Sequence, residues 1–427
     1  MDAVGVAGHC GEIIGDGYDP RMVARTWSLA VIGAVLLLSL ASRAEQTPSA
    51  SATLPPDAEV LATIKQRVDD KRSAGIVVGL LDATGTTRIV AYGDPGPGQA
   101  PLDGDTVFEI GSISKVFTAT ALASLVLDGT VSLDDPVQKF LPARVTMPAR
   151  NGKAITLGHL SSQNSGLPRM PSNFTPKDQS NPYADYTVDQ MYAFLSGYQL
   201  PRDPGEQFEY SNLGVGLLGH VLSLATRMPY EQLERERIWA PLGMTHTAIT
   251  FTPWMTQHLA LGHDAQGRVV ANWDLPTFAG AGAIRSTTKD MLLFAAANLH
   301  PERGPLGPAV ALAQRERASA GNPNTGIGLN WIIRKAATAP IVWHNGGTAG
   351  YRTFLGLVPS KHMAVVVLTN SGGAGADDIG FHFLDSTIPL APGRTSGLRA
   401  GANDSSDVNT VTVSCHTERH ALSSVTR

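Results

Sequence analysis

The sequence predicts an α/β (α+β) fold: an antiparallel sheet flanked by helices and interrupted by an all-helical lobe. Three observations predict it. Runs rich in β-branched and aromatic residues gather at two places far apart in the chain, around 75–92 and 341–369. The long stretch 135–279 reads instead as helices joined by Pro, Gly and Asn loops. Between the first strands and that stretch lies Ile113 to Leu127, apolar on almost every face, and such a helix belongs at the centre of a protein.

The elements follow in chain order. Arg21 and Arg25 precede the apolar run Trp27 to Ala41, and Ser42-Arg-Ala44 closes it with the small-x-small pattern that signal peptidase reads. Residues 1–44 are therefore expected to be a pre-sequence and signal peptide, with Met22 as the true start, and the mature protein is expected to be periplasmic or secreted. The run falls short of the roughly 20 apolar residues that span a bilayer, so no stable membrane span is expected after cleavage. Residues 45–56 are rich in Ser, Thr, Ala and Pro and read as a linker. One domain then covers 57–390, with its sheet region in 57–134 and 280–390 and the helical lobe in 135–279.

Within that domain, Val60, Leu61, Ile64 and Val68 recur at helical spacing over Asp57 to Lys71. Gly75 to Leu81 and Arg88 to Tyr92 form a hairpin about Asp82 and Gly85. In the lobe, helical periodicity is clear over 188–198, 213–226 and 230–239. Strands return at 341–344, 351–358 and 363–369, and a short helix follows over 377–384. The tail 391–427 has little to bury and is expected to be disordered.

Composition excludes several classes. Lys+Arg 33 against Asp+Glu 37 leaves a net charge of −4, and at 16% charged residues no basic face is advertised, so nucleic acid is excluded as a partner. The two cysteines, Cys10 and Cys415, stand near the chain's extremes, with neither metal-site spacing nor the makings of a disulfide framework. The histidines are scattered. His258 and His263 are off one helical face, and no metal or other cofactor is implied.

Ser-x-x-Lys occurs twice, as Ser112-Ile-Ser-Lys115 and Ser286-Thr-Thr-Lys289. At i, i+3 on a helix the two side chains share a face, so an amine can reach a hydroxyl, and a serine at a helix start also gains from the dipole. The plainer reading of each is an N-cap serine. For the second match that reading prevails, because Thr287 with Asp290 makes a capping box and Lys289 is free to face water. For the first, the surrounding helix is too apolar to hold a lysine idly: a buried lysine is paired or has a depressed pKa, which is what a general base needs. Taken alone, the Ser112/Lys115 pattern leaves both readings open. Tyr210-Ser-Asn212 after Pro204-Gly205, and His344-Asn-Gly346 at a strand end, add two elements in a telling order.

With Phe108-Glu-Ile-Gly-Ser-Ile-Ser-Lys115, Leu160-Ser-Ser-Gln-Asn-Ser-Gly-Leu-Pro168, Tyr210-Ser-Asn212 and His344-Asn-Gly-Gly-Thr-Ala-Gly-Tyr351 in place, the chain resembles a serine-dependent family. That family comprises the class C β-lactamases, penicillin-binding D-alanyl-D-alanine peptidases and β-lactamase-like carboxylesterases. The resemblance runs from about Asp57 to Leu390. It implies a β-lactamase/transpeptidase-like fold and an acyl-enzyme on Ser112, with Lys115 and Tyr210 sharing the proton transfers. It further implies Asn212 positioning Lys115 and the substrate amide, and the backbone N–H groups of Ser112 and Gly347 forming the oxyanion hole. The segment His344, Asn345, Gly346 and Gly347 would line the substrate. Which of Lys115 and Tyr210 is the base stays open.

Two departures bear on substrate. Many relatives have Lys-Thr-Gly where this chain has His344-Asn345-Gly346; histidine, with an unperturbed pKa of about 6.5, offers an anion less. Arg352 or Arg169 could supply the missing charge. Gln163-Asn164 also replaces the His-Thr expected before Ser165-Gly166. The leading expectation is an exported acyl-hydrolase acting on a small molecule, a β-lactam amide or D-alanyl peptide, with peptidoglycan as a wider partner. The alternatives are a carboxylesterase acting on small esters and a non-catalytic protein that binds peptidoglycan or β-lactams.

Overall fold

The computed structural model describes residues 53–373 and 375–392 of the 427. The expected signal segment, most of the linker, both cysteines and the tail from 393 lie outside them. The strands are β1 (Gly75–Leu81), β2 (Thr87–Gly93), β3 (Val107–Glu109), β4 (Arg285–Thr287), β5 (Ala318–Asn322), β6 (Thr325–Ile327), β7 (Ile332–Arg334), β8 (Ile341–Gly347), β9 (Arg352–Val358) and β10 (Met363–Thr369). Eight of them make one antiparallel sheet in the order β2-β1-β10-β9-β8-β7-β6-β5, and β3 pairs with β4 apart from it. The sheet is thus closed by its own first and last strands: Ile76 lies opposite Thr369 and Leu81 opposite Ala364.

Both of these strands are buried on both faces, which is why they read as unbroken apolar runs and not as alternation. Alternation persists in what each residue touches. Ile76, Val78, Leu80, Val365 and Val367 pack with α1 (Asp57–Asp69) and α6 (Asp377–Leu384) on one side. Val77, Leu81, Val366 and Leu368 belong to the larger core on the other side. That larger core surrounds α2 (Ser114–Leu127), nearly all of whose residues are buried, with Phe117 stacked 3.9 Å from Phe294. Phe294 lies on α5 (Thr288–Leu299), which closes on the sheet over Gly79, where a Cβ would come 2.6 Å from the Thr288 methyl.

Between the two halves of the sheet run α3 (Val188–Gly197), α4 (Asn212–Thr226) and a helix from Tyr230 to Leu242 that passes through a π-turn at Arg235–Trp239. The lobe is not wholly helical. A two-residue hairpin pairs Ala149–Arg150 with Lys153–Ala154 about Asn151 and Gly152, both at positive φ, and an Asn-Gly pair is the usual signal for such a turn.

Strands β5 to β7 are absent from the sequence expectation for a physical reason. They are short, two of them contain Gly, and β5, the edge strand, is only half-buried, so no sustained apolar run marks them. The linker ends sooner than expected as well: Leu54 is buried against the α1 side of the sheet. Among the described residues, no helix is long and apolar enough to cross a membrane.

Behind α2, the Tyr230 hydroxyl meets Thr118 Oγ1 at 2.7 Å, and Glu234 is wholly buried beside it. Burial pushes the Glu234 carboxyl from 4.5 up to about 8, so it is neutral at pH 7. The folded state then holds a proton that the unfolded chain releases, and stability falls as pH rises from about 4.5 to 8. Glu234→Gln removes that contribution. In urea titrations at a series of pH values, the stability of the variant relative to wild type is expected to rise across this window and to be level on either side.

Candidate active site

The nucleophile turn is built by close backbone approach. Ile110 N–H bonds Ile284 carbonyl at 3.1 Å, and Gly111–Ile113 then makes a 3₁₀ turn leading into α2. Gly111 has φ +52°, and a Cβ on it would sit 2.6 Å from the Gly347 nitrogen; a Cβ on Gly346 would run into the Ile110 carbonyl. Glycine at both positions lets the end of β8 lie directly against the turn. Thr353 Oγ1 pins the same carbonyl from β9 at 2.8 Å. The result places half-buried Ser112 beside the exposed Gly347.

Lys115, one helical turn on, has no solvent exposure. Its Nζ lies 3.0 Å from Ser112 Oγ, 2.8 Å from Asn212 Oδ1 and 2.7 Å from the Ala281 carbonyl. Burial holds its pKa well below the ordinary lysine value, and the nearby Arg169 charge lowers it further. A neutral amine has two N–H donors and one lone pair. The two carbonyl oxygens take the two donors, which leaves the lone pair for the serine hydroxyl. The arrangement can therefore hold a base next to a nucleophile without an unsatisfied buried group.

Tyr210 completes the group. Its hydroxyl hydrogen-bonds Ser112, its ring lies 4.9 Å from Lys115 Nζ, and burial raises its pKa to about 12, so it stays a phenol. Its position is dictated by Gln163, a residue at φ +56°. Gln163 carbonyl accepts from Glu209 N–H at 2.6 Å and its Oε1 accepts from Ser211 N–H at 2.7 Å, gripping the chain on both sides of Tyr210. Gln163 Nε2 donates in turn to Asn330 Oδ1 at 2.8 Å. Ser211 caps α4 through Gly214 N–H, which sets Asn212 as the first residue of that helix.

The other expected residues fall in different places. His344 is buried, with its ring 6.2 Å from that of Tyr210, and burial drives its pKa down to about 3. It is a neutral ring packed on the tyrosine and presents no charge to an anion. Asn345, one step along β8, turns to the opposite face and donates to Asp377 Oδ2 at 2.7 Å, so its side chain does not join the group around Ser112. Arg169 lies over the Tyr210 ring at 5.1 Å, whereas Arg352 braces the following turn through the Thr348 and Tyr351 carbonyls.

At the second Ser-x-x-Lys, Thr287 caps α5 and Lys289 pairs with Asp105 near the surface. The capping box there is only half made, because the Asp290 carboxylate turns to His246 N–H and Thr247 instead. His258 stacks on Trp254 and His263 bonds the Asn370 carbonyl; among the described residues no His, Cys, Asp or Glu cluster could hold a metal.

A narrow cleft opens at Ser112, lined also by Asn212, Gly347 and Thr348. Its far wall, Tyr183, Trp273, Leu275 and Phe278, had no sequence signal, since isolated aromatic residues in loops look like any other packing residue.

Residues 60–384 match the Beta-lactamase family. The chain belongs to that family. It is a serine hydrolase of the β-lactamase/D-alanyl-D-alanine carboxypeptidase kind. This family member is 30% identical over 322 residues to the D-alanyl-D-alanine-carboxypeptidase/endopeptidase AmpH of Escherichia coli (strain K12), covering 70% of this chain and 80% of AmpH. It is 26% identical over 352 residues to a beta-lactamase of Pseudomonas fluorescens, covering 74% of this chain and 94% of that one. Among solved structures it resembles the beta-lactamase/D-alanine carboxypeptidase from Yersinia pestis complexed with citrate, with a TM-score of 0.66 and 26% identity over 78% of this chain and 96% of that chain. The fold expected from the sequence is therefore the fold of the family.

Two outcomes are expected of variants. Arg169→Gln removes the positive charge that lowers the Lys115 pKa, so the acid limb of the rate of serine acylation should move to higher pH in a pH–rate profile. Gln163→Ala frees the backbone on both sides of Tyr210; kcat should fall roughly 10–100-fold with a smaller change in KM, since slight misplacement of a proton-transfer group carries costs of that order.

Proposed function

We propose that the protein is an exported acyl-hydrolase that opens β-lactam amides or D-alanyl peptide bonds through an acyl-enzyme on Ser112. The observation that carries this reading is the hydrogen bonding of Lys115, whose two carbonyl acceptors leave its lone pair for Ser112 Oγ. Lys115 takes the hydroxyl proton as Ser112 Oγ bonds to the substrate carbonyl carbon. The charge that develops on the carbonyl oxygen is met by the backbone N–H groups of Ser112 and Gly347. Tyr210, hydrogen-bonded to the serine and uncharged, relays a proton to the departing nitrogen as its bond to carbon breaks. Water then attacks the ester and restores the serine. The names of AmpH and of the Pseudomonas fluorescens relative support both substrate classes. Export rests on the apolar run 27–41 and the Ser42-Arg-Ala44 site that follows it.

A second reading, hydrolysis of small esters, draws on one observation: His344 is neutral and buried where an anion-binding lysine would favour a charged substrate. Comparing turnover of a chromogenic cephalosporin with that of a short p-nitrophenyl ester separates the two.

Incubation of the purified protein with benzylpenicillin followed by intact-mass measurement is expected to show one acyl adduct. Ser112→Ala should show none, and Lys115→Ala should slow its formation by about 10²–10⁴-fold, the usual worth of a general base. Folded wild-type protein that neither gains mass nor consumes the benzylpenicillin would refute the amide reading.

A further inference from the structure

The Ala281 carbonyl that accepts from Lys115 belongs to a short helical turn, Ala279–Gly282, and that turn is tied to α2 on both sides of the lysine contact. On one side Thr118 Oγ1, one turn beyond Lys115, lies 2.7 Å from the Gly280 carbonyl. On the other, Ile284 N–H donates to Ser114 Oγ at 3.1 Å. Ser114 and Thr118 are both wholly buried. The Thr118 hydroxyl also meets the Tyr230 hydroxyl at 2.7 Å, and more loosely the Ser114 carbonyl of its own helix at 3.2 Å. A hydroxyl carries one proton. Both 2.7 Å contacts are satisfied in only one arrangement: Tyr230 O–H donates to Thr118 Oγ1, and Thr118 O–H donates to the Gly280 carbonyl. Burial pushes the Tyr230 pKa well above its usual value of 10, so the phenol keeps the proton it donates. The far side of the turn packs on α4, where a Cβ on Gly280 would come 3.0 Å from Gly219 Cα.

We infer that Thr118 and Tyr230 are positioning residues for the general base: their relay fixes the Gly280 carbonyl and, through the next peptide, the Ala281 carbonyl that holds Lys115 Nζ. The inference rests on the proposed role of Lys115 in activating Ser112. Neither residue lines the cleft, so each acts through the turn. Without the Thr118 hydroxyl the buried Gly280 carbonyl loses this donor, and the turn draws away from α2 with the Ala281 carbonyl in it. Two effects follow. The Lys115 lone pair is aimed less well at Ser112, which slows removal of the serine proton. The ammonium form also loses an acceptor that stabilises it more than it stabilises the amine, so the Lys115 pKa falls further. Mere loosening of the packing acts in the opposite sense, because it admits water, relieves the burial and raises that pKa. The titratable and charged groups facing Lys115 are Arg169, Tyr210 and His344, and none is altered in the variants below.

The test follows hydrolysis of p-nitrophenyl acetate as kcat/KM against pH, which reports acylation of the serine. Thr118→Val, close to isosteric, is expected to lower the plateau by roughly 10-fold or more, the order of cost of a slight misplacement at a reacting group, and to move the acid limb to lower pH. Thr118→Ser keeps the hydroxyl and should stay close to wild type in both respects. Tyr230→Phe should move both in the same direction as Thr118→Val, and by less. Glu234, beside Tyr230, is neutral over the acid range in which the limb is read. Thr118→Val at the wild-type plateau overturns the inference. A limb that moves to higher pH overturns it as well, and so does a Thr118→Ser plateau as low as that of Thr118→Val, since either marks loosened packing. Where Thr118→Val does not fold, Thr118→Ser and Tyr230→Phe decide: each deletes a single heavy atom and only the second breaks the relay, so equal profiles overturn the inference. Lys115→Ala at the wild-type rate, or a wild type that turns over neither this ester nor benzylpenicillin, overturns the proposed function and the inference with it.

Discussion

A lysine amine without water around it is the constraint on which the rest of the site depends. Inside α2 it has lost hydration, and Arg169 adds a positive field, so the charged form is disfavoured. The neutral form is stable there because Asn212 and the Ala281 carbonyl accept its two protons. Each of these acceptors comes from a different part of the chain, and each has its own support. Asn212 opens a helix capped by Ser211, while the Ala281 region leads into β4, which pairs with β3 just before Ser112. Basicity at Ser112 is thus a property of the packed core and not of a short motif.

The surrounding polar residues divide into those that touch Ser112 and those that aim them. Tyr210 touches it; Gln163 aims Tyr210, and Asn330 aims Gln163. The exchange of His-Thr for Gln163-Asn164, which reads as a loss in the sequence, has a structural reason: the amide side chain supplies both an acceptor for Ser211 and a donor for Asn330. His344 shows the opposite case. The resemblance read from the sequence expects a lysine at its place in β8, yet in this fold it is a neutral ring against Tyr210.

Much of this was legible beforehand because it was periodic or punctuated. The apolar run of α2, the strands β1 and β10, and the Ser-x-x-Lys spacing all depend on neighbours in sequence. What was not legible depends on partners far away. The Asn345 side chain turns from the cleft because strand alternation sends it to Asp377, and the face it takes follows from the pairing of β8 within the sheet. Trp273 and Tyr183 carry no local mark, since their place in the cleft wall comes from hydrogen bonds between two loops and from the Trp273 N–H bond to Glu109. Strands β5 to β7 were hidden by their shortness.

The pairing of β1 with β10 has a temporal consequence. Residues at 76 and 369 must meet before the first hairpin joins the rest of the sheet, and the glycine strand that flanks Ser112 is made almost as late. Contacts so distant along the chain form slowly, because closing the long loop costs entropy before any contact repays it. A partly made chain that ends before β8 therefore holds its serine and lysine without the glycine backbone that packs against the nucleophile turn. The strand beside Ser112 is among the last parts of the site to be made.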